Sequence, residues 1–205
     1  MPISVLLACT GLFGSRAYAD EPPTPTAAVV CQSCHGKSGQ GNAPAGIPRI
    51  AGQSAEYLEK QLKDFASGDR VNAIMQNFAK PLSDTDRKAV SQFFGAQRTP
   101  ADAIPSKASL AQLALGHQIA NQGLEQNRVQ ACKSCHGPDG VGVPHAAPYL
   151  AGQTYEYLSN ELKAFKRGAR KNDPGGIMSS VAQGLDERTI SAVAAYFSSL
   201  APASP

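Results

Sequence analysis

Apolar residues recur along this chain with the spacing of one helix face, and they do so twice. Leu58, Leu62 and Phe65 stand at i, i+4 and i+7, and Leu158, Leu162 and Phe165 repeat that stripe about a hundred residues later. Ser54 and Thr154 precede the stripes as N-cap residue types, and Gly68 and Gly168 follow where a glycine ends a helix. Another helix is predicted from Ser83-Asp84-Thr85-Asp86, close to a capping box, with Val90, Phe93 and Phe94 turned inward. Its counterpart starts near Asp186 and buries Ile190, Val193 and Phe197. Leu110 to Ala120 reads as a further helix with Leu113, Gly116 and Ile119 or Ala120 inward. At the start of the first half there is room only for about two turns, from Thr26 to Cys34. The pattern is all-α, and its stripes read as core.

The stripes belong to a longer internal repeat. Pro48-Arg49-Ile50-Ala51-Gly52-Gln53 aligns with Pro148-Tyr149-Leu150-Ala151-Gly152-Gln153, Ile74-Met75 with Ile177-Met178, and Phe93-Phe94 with Tyr196-Phe197. The halves are therefore expected to share one fold. Thr99 to Pro105 has no periodicity and holds two prolines, which marks a linker. The N-terminus has a short apolar core from Ile3 to Phe13 and a small-residue cleavage pattern at Ala17-Tyr18-Ala19, although its first basic residue is Arg16. The expected organisation is a signal peptide over 1–19, a first domain over 20–98, a linker over 99–107 and a second domain over 108–205. The linker is short, so the two domains should touch. Cys9 falls in the signal segment.

The remaining cysteines sit in two matching motifs, Cys31-Gln32-Ser33-Cys34-His35 and Cys132-Lys133-Ser134-Cys135-His136. Cys-x-x-Cys alone also occurs in redox and zinc sites, and four cysteines in an exported chain would suit a disulfide framework. The histidine directly after each pair points instead to c-type haem attachment. Cys31, Cys34, Cys132 and Cys135 would form the thioethers, and His35 and His136 would be the proximal iron ligands. Their other ring nitrogen should donate to a carbonyl or similar acceptor.

The distal ligand must come from later in each half. Beyond Met1, the chain contains only Met75 and Met178, each after an isoleucine at the same place in the repeat. Most methionines are core fillers, but number and position set these two apart. A thioether sixth ligand favours reduced iron and raises the potential. Of the other histidines, His117 reads as a partly exposed helix residue, and His145 lies too close to His136 to travel around a haem edge. Gln53, Gln153, Tyr57, Tyr157, Arg49 and Lys80 are weaker candidates for hydrogen bonds to haem propionates, with capping and packing as their plainer roles.

Composition narrows the classes. A domain of about ninety residues has a small core, and a covalently held haem, two per chain, would give its side chains a large apolar plate to pack on. The formal charge is only +3 with no basic run, so nothing suggests nucleic acid. Apart from the N-terminal segment no apolar run is long enough to cross a bilayer, so any membrane association would be peripheral.

These motifs, with the glycine after each Cys-x-x-Cys-His (Gly36, Gly137), the Pro-x-Ile/Leu-Ala-Gly-Gln segments, Gly-x-Arg and Ile-Met, resemble the cytochrome c4 family from about Ala27 to Ala201. The resemblance implies two tandem class I cytochrome c domains related by a pseudo-twofold axis, with haem propionates close across the interface. It implies that Pro48 and Pro148 offer their carbonyls to the proximal histidines. It also implies that Gly116 packs on Tyr196 or Phe197, a contact for which the first half has no glycine. The function implied is periplasmic electron carriage between an upstream quinol-oxidising complex or other cytochrome donor and a downstream haem-copper oxidase. Two other readings stay open: a haem subunit of a flavin-containing dehydrogenase such as sulfide dehydrogenase, and a catalytic two-haem enzyme, which two methionine ligands argue against.

Overall fold

The computed structural model describes residues 24–98, 107–143 and 146–202. The signal segment, most of the linker and His145 lie outside the described residues. Among those residues the fold is helical and contains no strand, only isolated bridges such as Asn42 with Ile47 and Val143 with Ala147.

The first half contains α1 (Thr26–His35), α2 (Ala55–Ser67), α3 (Ala73–Ala79) and α4 (Asp84–Gly95). Helix α1 packs on α4, α4 on α2, and α2 on α3. The core is Ala28, Val90, Phe93 and Phe94, flanked by Ile50, Leu58 and Leu62. The predicted caps are present. The Ser54 hydroxyl accepts the Tyr57 N–H, Gly68 closes α2 in the left-handed region, and Ser83 with Asp86 forms a full capping box on α4.

The second half contains α5 (Leu110–Gln122), α6 (Lys133–His136), α7 (Tyr155–Lys166), α8 (Ile177–Gln183) and α9 (Glu187–Ser199). Helix α9 is its hub, with α5 and α7 packed on it, and α7 also carries α8. Gly116 sits where α5 meets α9, and a Cβ there would fall 2.1 Å from the Ala192 carbonyl oxygen. Ile119, Leu158, Val193, Tyr196 and Phe197 form the adjoining core. Thr154 differs from Ser54 in that its hydroxyl is buried without a partner; in both halves the preceding glutamine's side-chain oxygen takes the N–H, of Ser54 at 3.0 Å and of Thr154 at 2.9 Å.

The helix crossing that lacked a glycine in the first half is nevertheless made there. Fully buried Ala28 packs in the α4 cluster. In the second half α5 and the short α6 are separate helices, whereas α1 carries both the packing residue and the Cys-x-x-Cys-His motif.

A buried polar seam joins the halves. Arg70 donates to Gln61 at 2.7 Å and to the Tyr157 hydroxyl at 3.0 Å, and pairs with Glu161 at 3.0 Å. Arg170 mirrors it, donating to the Tyr57 hydroxyl and to Gln61 at 3.1 Å each and pairing with Glu161 at 2.7 Å. Each guanidinium also lies over a phenylalanine of its own half, Phe65 at 4.6 Å and Phe165 at 4.5 Å. Two cations thus share one carboxylate, because the repeat places Gln61 where the second half has Glu161.

Candidate functional site

In each half the helix bearing the Cys-x-x-Cys-His motif ends at the histidine, and a glycine at positive φ turns the chain away: Gly36 at +85° and Gly137 at +75°. The chain then loops back to a proline. The His35 Nδ1–H donates to the Pro48 carbonyl at 2.9 Å, and the His136 Nδ1–H to the Pro148 carbonyl at 2.9 Å. A carbonyl only accepts, so the hydrogen is on Nδ1 and the lone pair of the neutral ring is on Nε2. Both histidines are buried. Burial pushes both below the ordinary imidazole pKa, against a smaller upward pull from the proline carbonyl, so the neutral, ligating form prevails. These are two preset nitrogen donors.

None of the four motif cysteines is paired in a disulfide; Cys31 and Cys132 are half-buried and Cys34 and Cys135 exposed. Burial pushes Cys31 up and Cys132 up to about 11. Both shifts run opposite to the lowered thiol pKa of redox-enzyme cysteines. Among the described residues no three of His, Cys, Asp and Glu gather in a way that would hold a bare metal ion.

Met75 and Met178 lie in the first turns of α3 and α8, each half-buried. The two turns are held in different ways. Asn72 caps α3, its side-chain oxygen accepting the Ile74 and Met75 N–H groups at 3.1 and 3.0 Å. Before α8 the inserted Pro174-Gly175-Gly176 forms a tight turn with both glycines at positive φ. Asp173 ties that turn to the helix, accepting the Ser179 N–H and hydroxyl at 2.9 Å each. Apolar side chains on these elements stand out of the protein core: Ile74 is 65 % exposed and Ile177 is 57 %. A donor set of buried neutral imidazole, paired thiols and thioether, bordered by apolar side chains, suits haem c better than a hydrated ion.

Most of the weaker candidates lie where the two halves meet. Tyr57 and Tyr157 accept from the arginines of the seam, and Gln53, Gln153 and the Arg49 backbone join the two halves. Lys80 is exposed at the end of α3. His117 is exposed on α5, with its ring edge-on to Tyr196 at 5.4 Å. Gln61 and Glu161 of the seam, and Asn172, which donates to Gln61 at 3.0 Å, are not marked by any sequence pattern. The signal that points to the seam is the repeated arginine two residues after Gly68 and Gly168.

The Cytochrome c family model matches residues 14–95 and 114–201, one match for each half. The chain belongs to the cytochrome c family. It is 40% identical over 187 residues to a thiosulfate dehydrogenase electron acceptor of Stutzerimonas stutzeri, covering 91% of this chain and 86% of that protein. The structure of reduced recombinant cytochrome c4 from Pseudomonas stutzeri superposes with a TM-score of 0.78 at 31% identity, covering 87% of this chain and 98% of that one. A thiosulfate dehydrogenase from Marichromatium purpuratum gives 0.77 at 37% identity over 83% of this chain, which spans only 36% of that longer chain. The architecture is thus two tandem cytochrome c domains of the cytochrome c4 type, in a family of haem-bearing electron carriers.

Proposed function

We infer that this protein is an exported carrier with two covalent haem c groups, which accepts electrons from a dehydrogenase and delivers them to a downstream oxidase. The observation that carries this reading is the matched pair of buried histidines. Each histidine follows Cys-x-x-Cys and is fixed by its Nδ1–H on a proline carbonyl, with one methionine per half in the first turn of a helix whose start is held by the side chain of Asn72 or Asp173. Cys31, Cys34, Cys132 and Cys135 would hold the porphyrins as thioethers, and His35 with Met75 and His136 with Met178 would supply the protein's nitrogen and sulfur donors to iron. When bound, haem supplies a reversible one-electron site at iron.

The chain's own residues do the rest. The proline carbonyls fix ring orientation and tautomer at His35 and His136. The side chains of Asn72 and Asp173 hold the helix starts that carry the methionines. With a histidine and a methionine committed to each iron, neither site would offer a vacancy to a substrate, and transfer would be outer-sphere. The unequal loops before Met75 and Met178 make the two sites inequivalent.

A thiosulfate-oxidising dehydrogenase is the donor favoured by the printed name of the Stutzerimonas stutzeri relative and by the likeness to one part of the longer Marichromatium purpuratum chain. The likeness to cytochrome c4 supports the second reading, a respiratory carrier between a quinol-oxidising complex and a haem-copper oxidase. Purified protein would be mixed with thiosulfate alone, with thiosulfate plus its dehydrogenase, and with a quinol-oxidising complex plus quinol. Reduction by the dehydrogenase pair alone supports the first donor, reduction by the quinol system alone the second, and reduction by thiosulfate without a partner contradicts the carrier reading. The site of action is the periplasm, on the strength of the predicted signal sequence. No helix among the described residues is long and apolar enough to cross a membrane.

A further inference from the structure

Two buried side-chain amides lie across the domain interface in reciprocal positions. Gln153 of the second half grips the backbone of Arg49 in the first: its Oε1 accepts the Arg49 N–H at 2.8 Å, and its Nε2 donates to the Arg49 carbonyl at 2.8 Å. Gln53 of the first half does the same to Tyr149 in the second, at 3.0 and 3.1 Å. Each Oε1 also accepts the next N–H of its own chain, Ser54 at 3.0 Å and Thr154 at 2.9 Å. Two N–H groups thus converge on each oxygen. A flipped amide would set its NH2 against both, so the orientation is fixed by chemistry.

The gripped N–H groups are special donors. The Arg49 N–H belongs to the same peptide group as the Pro48 carbonyl, which accepts from His35. The Tyr149 N–H belongs to the same peptide group as the Pro148 carbonyl, which accepts from His136. An amide that donates at nitrogen is polarised and accepts more strongly at oxygen, by roughly 10–30 % per bond in a chain of such bonds.

We propose that each glutamine is a positioning residue for the other domain's histidine, Gln153 acting on His35 through the Pro48–Arg49 peptide and Gln53 on His136 through the Pro148–Tyr149 peptide. A stronger acceptor at Nδ1–H puts more electron density on Nε2 and makes each ring a better donor to a metal. The inference rests on the reading that these histidines ligate haem iron.

A plain gluing role differs in sign and in location. Loosening the interface admits water, which favours the more charged oxidised site and lowers its potential. Losing the polarisation weakens the histidine as a donor, disfavours the oxidised site and raises its potential. Gluing acts on both halves, whereas tuning crosses from one half to the other.

The test uses the holoprotein, with Gln153→Met and Gln53→Met to remove the amide at similar length, and Gln153→Glu to keep an acceptor oxygen. Two readouts are the NMR position of each proximal-ring Nδ1–H in the reduced protein and the domain-resolved potentials. Gln153→Met should move the His35 Nδ1–H upfield and raise the first domain's potential, with the second unchanged. Gln53→Met should do the same to His136 and the second domain, and Gln153→Glu should leave the His35 proton at or downfield of its wild-type position. Effects confined to the mutated residue's own domain, equal effects on both, a fall in potential, or a Glu variant that behaves like Met would overturn the proposal. A wild-type haem count and a methionine-ligated low-spin spectrum keep the two claims apart. If these fail, the ligation reading fails; if they hold without the crossed pattern, only the tuning fails.

Discussion

At the scale of single residues, the proposed donors are scarce side chains, four histidines and three methionines in the chain, and they fall at matched places in a repeat. The protonation state of the donors needed coordinates. It depends on a carbonyl 13 residues from His35 and 12 from His136, which resemblance suggested and geometry supplies. The reach of the glutamines is hidden for a related reason. Gln53 and Gln153 read as polar capping or propionate-binding residues; they do take the Ser54 and Thr154 N–H groups, and their amides also satisfy backbone groups 96 and 104 residues away. No local pattern encodes that distance. Replacing Met75 or Met178 with alanine should leave one of two haems high-spin or lower its potential, while the other keeps its methionine-ligation absorption band. If both variants retain the full ferric band, the methionine assignment is wrong.

The helices themselves were the most legible level. Stripes of period 3.6, Ser83 with Asp86, and a helix start near Asp186 gave boundaries and buried faces that the structure reproduces. The first half's helix crossing was not legible, because a fully buried alanine at position 28 looks like any helix alanine. Gly116 is the opposite case, a residue whose missing side chain decides the crossing. Gly116→Ala should force α5 from α9 and cost roughly 1–3 kcal/mol, toward the upper end because the clash is with backbone. A denaturant midpoint shift without a change in slope would show it, and an unchanged midpoint would mean that the crossing is looser than the structure has it.

Acid should separate the two methionine-bearing turns. Burial pushes the Asp173 carboxyl up, but hydrogen bonds from Ser179 outweigh it and hold the group below the usual carboxylate range. A depressed carboxylate contributes stability above its unfolded pKa and loses it as pH falls through the folded value. The Asn72 cap of the first half does not titrate. Acid titration followed through methionine ligation should therefore loosen the second site first, and Asp173→Asn should remove that difference.

Over the whole molecule the polar seam makes two repeats into one body. Its two guanidiniums are 7 and 9 % exposed and share the Glu161 carboxylate. Such a seam escapes pattern reading, since arginine, tyrosine and glutamine at these positions look like solvated helix faces until the halves are brought together. Removing one partner of a buried charge cluster typically costs about 3–5 kcal/mol. Glu161→Ala should therefore uncouple the halves, so that calorimetry resolves two transitions in place of one. A single transition at the wild-type temperature would show that the seam adds little to coupling.

The central claim, that the repeat builds two closed and inequivalent one-electron sites, is tested most directly by a potentiometric titration of the purified protein with a covalent haem count. The account predicts two haems per chain, two distinguishable one-electron steps, and a methionine-ligated low-spin spectrum at both sites. One haem per chain, or a site that is five-coordinate when reduced, would contradict it.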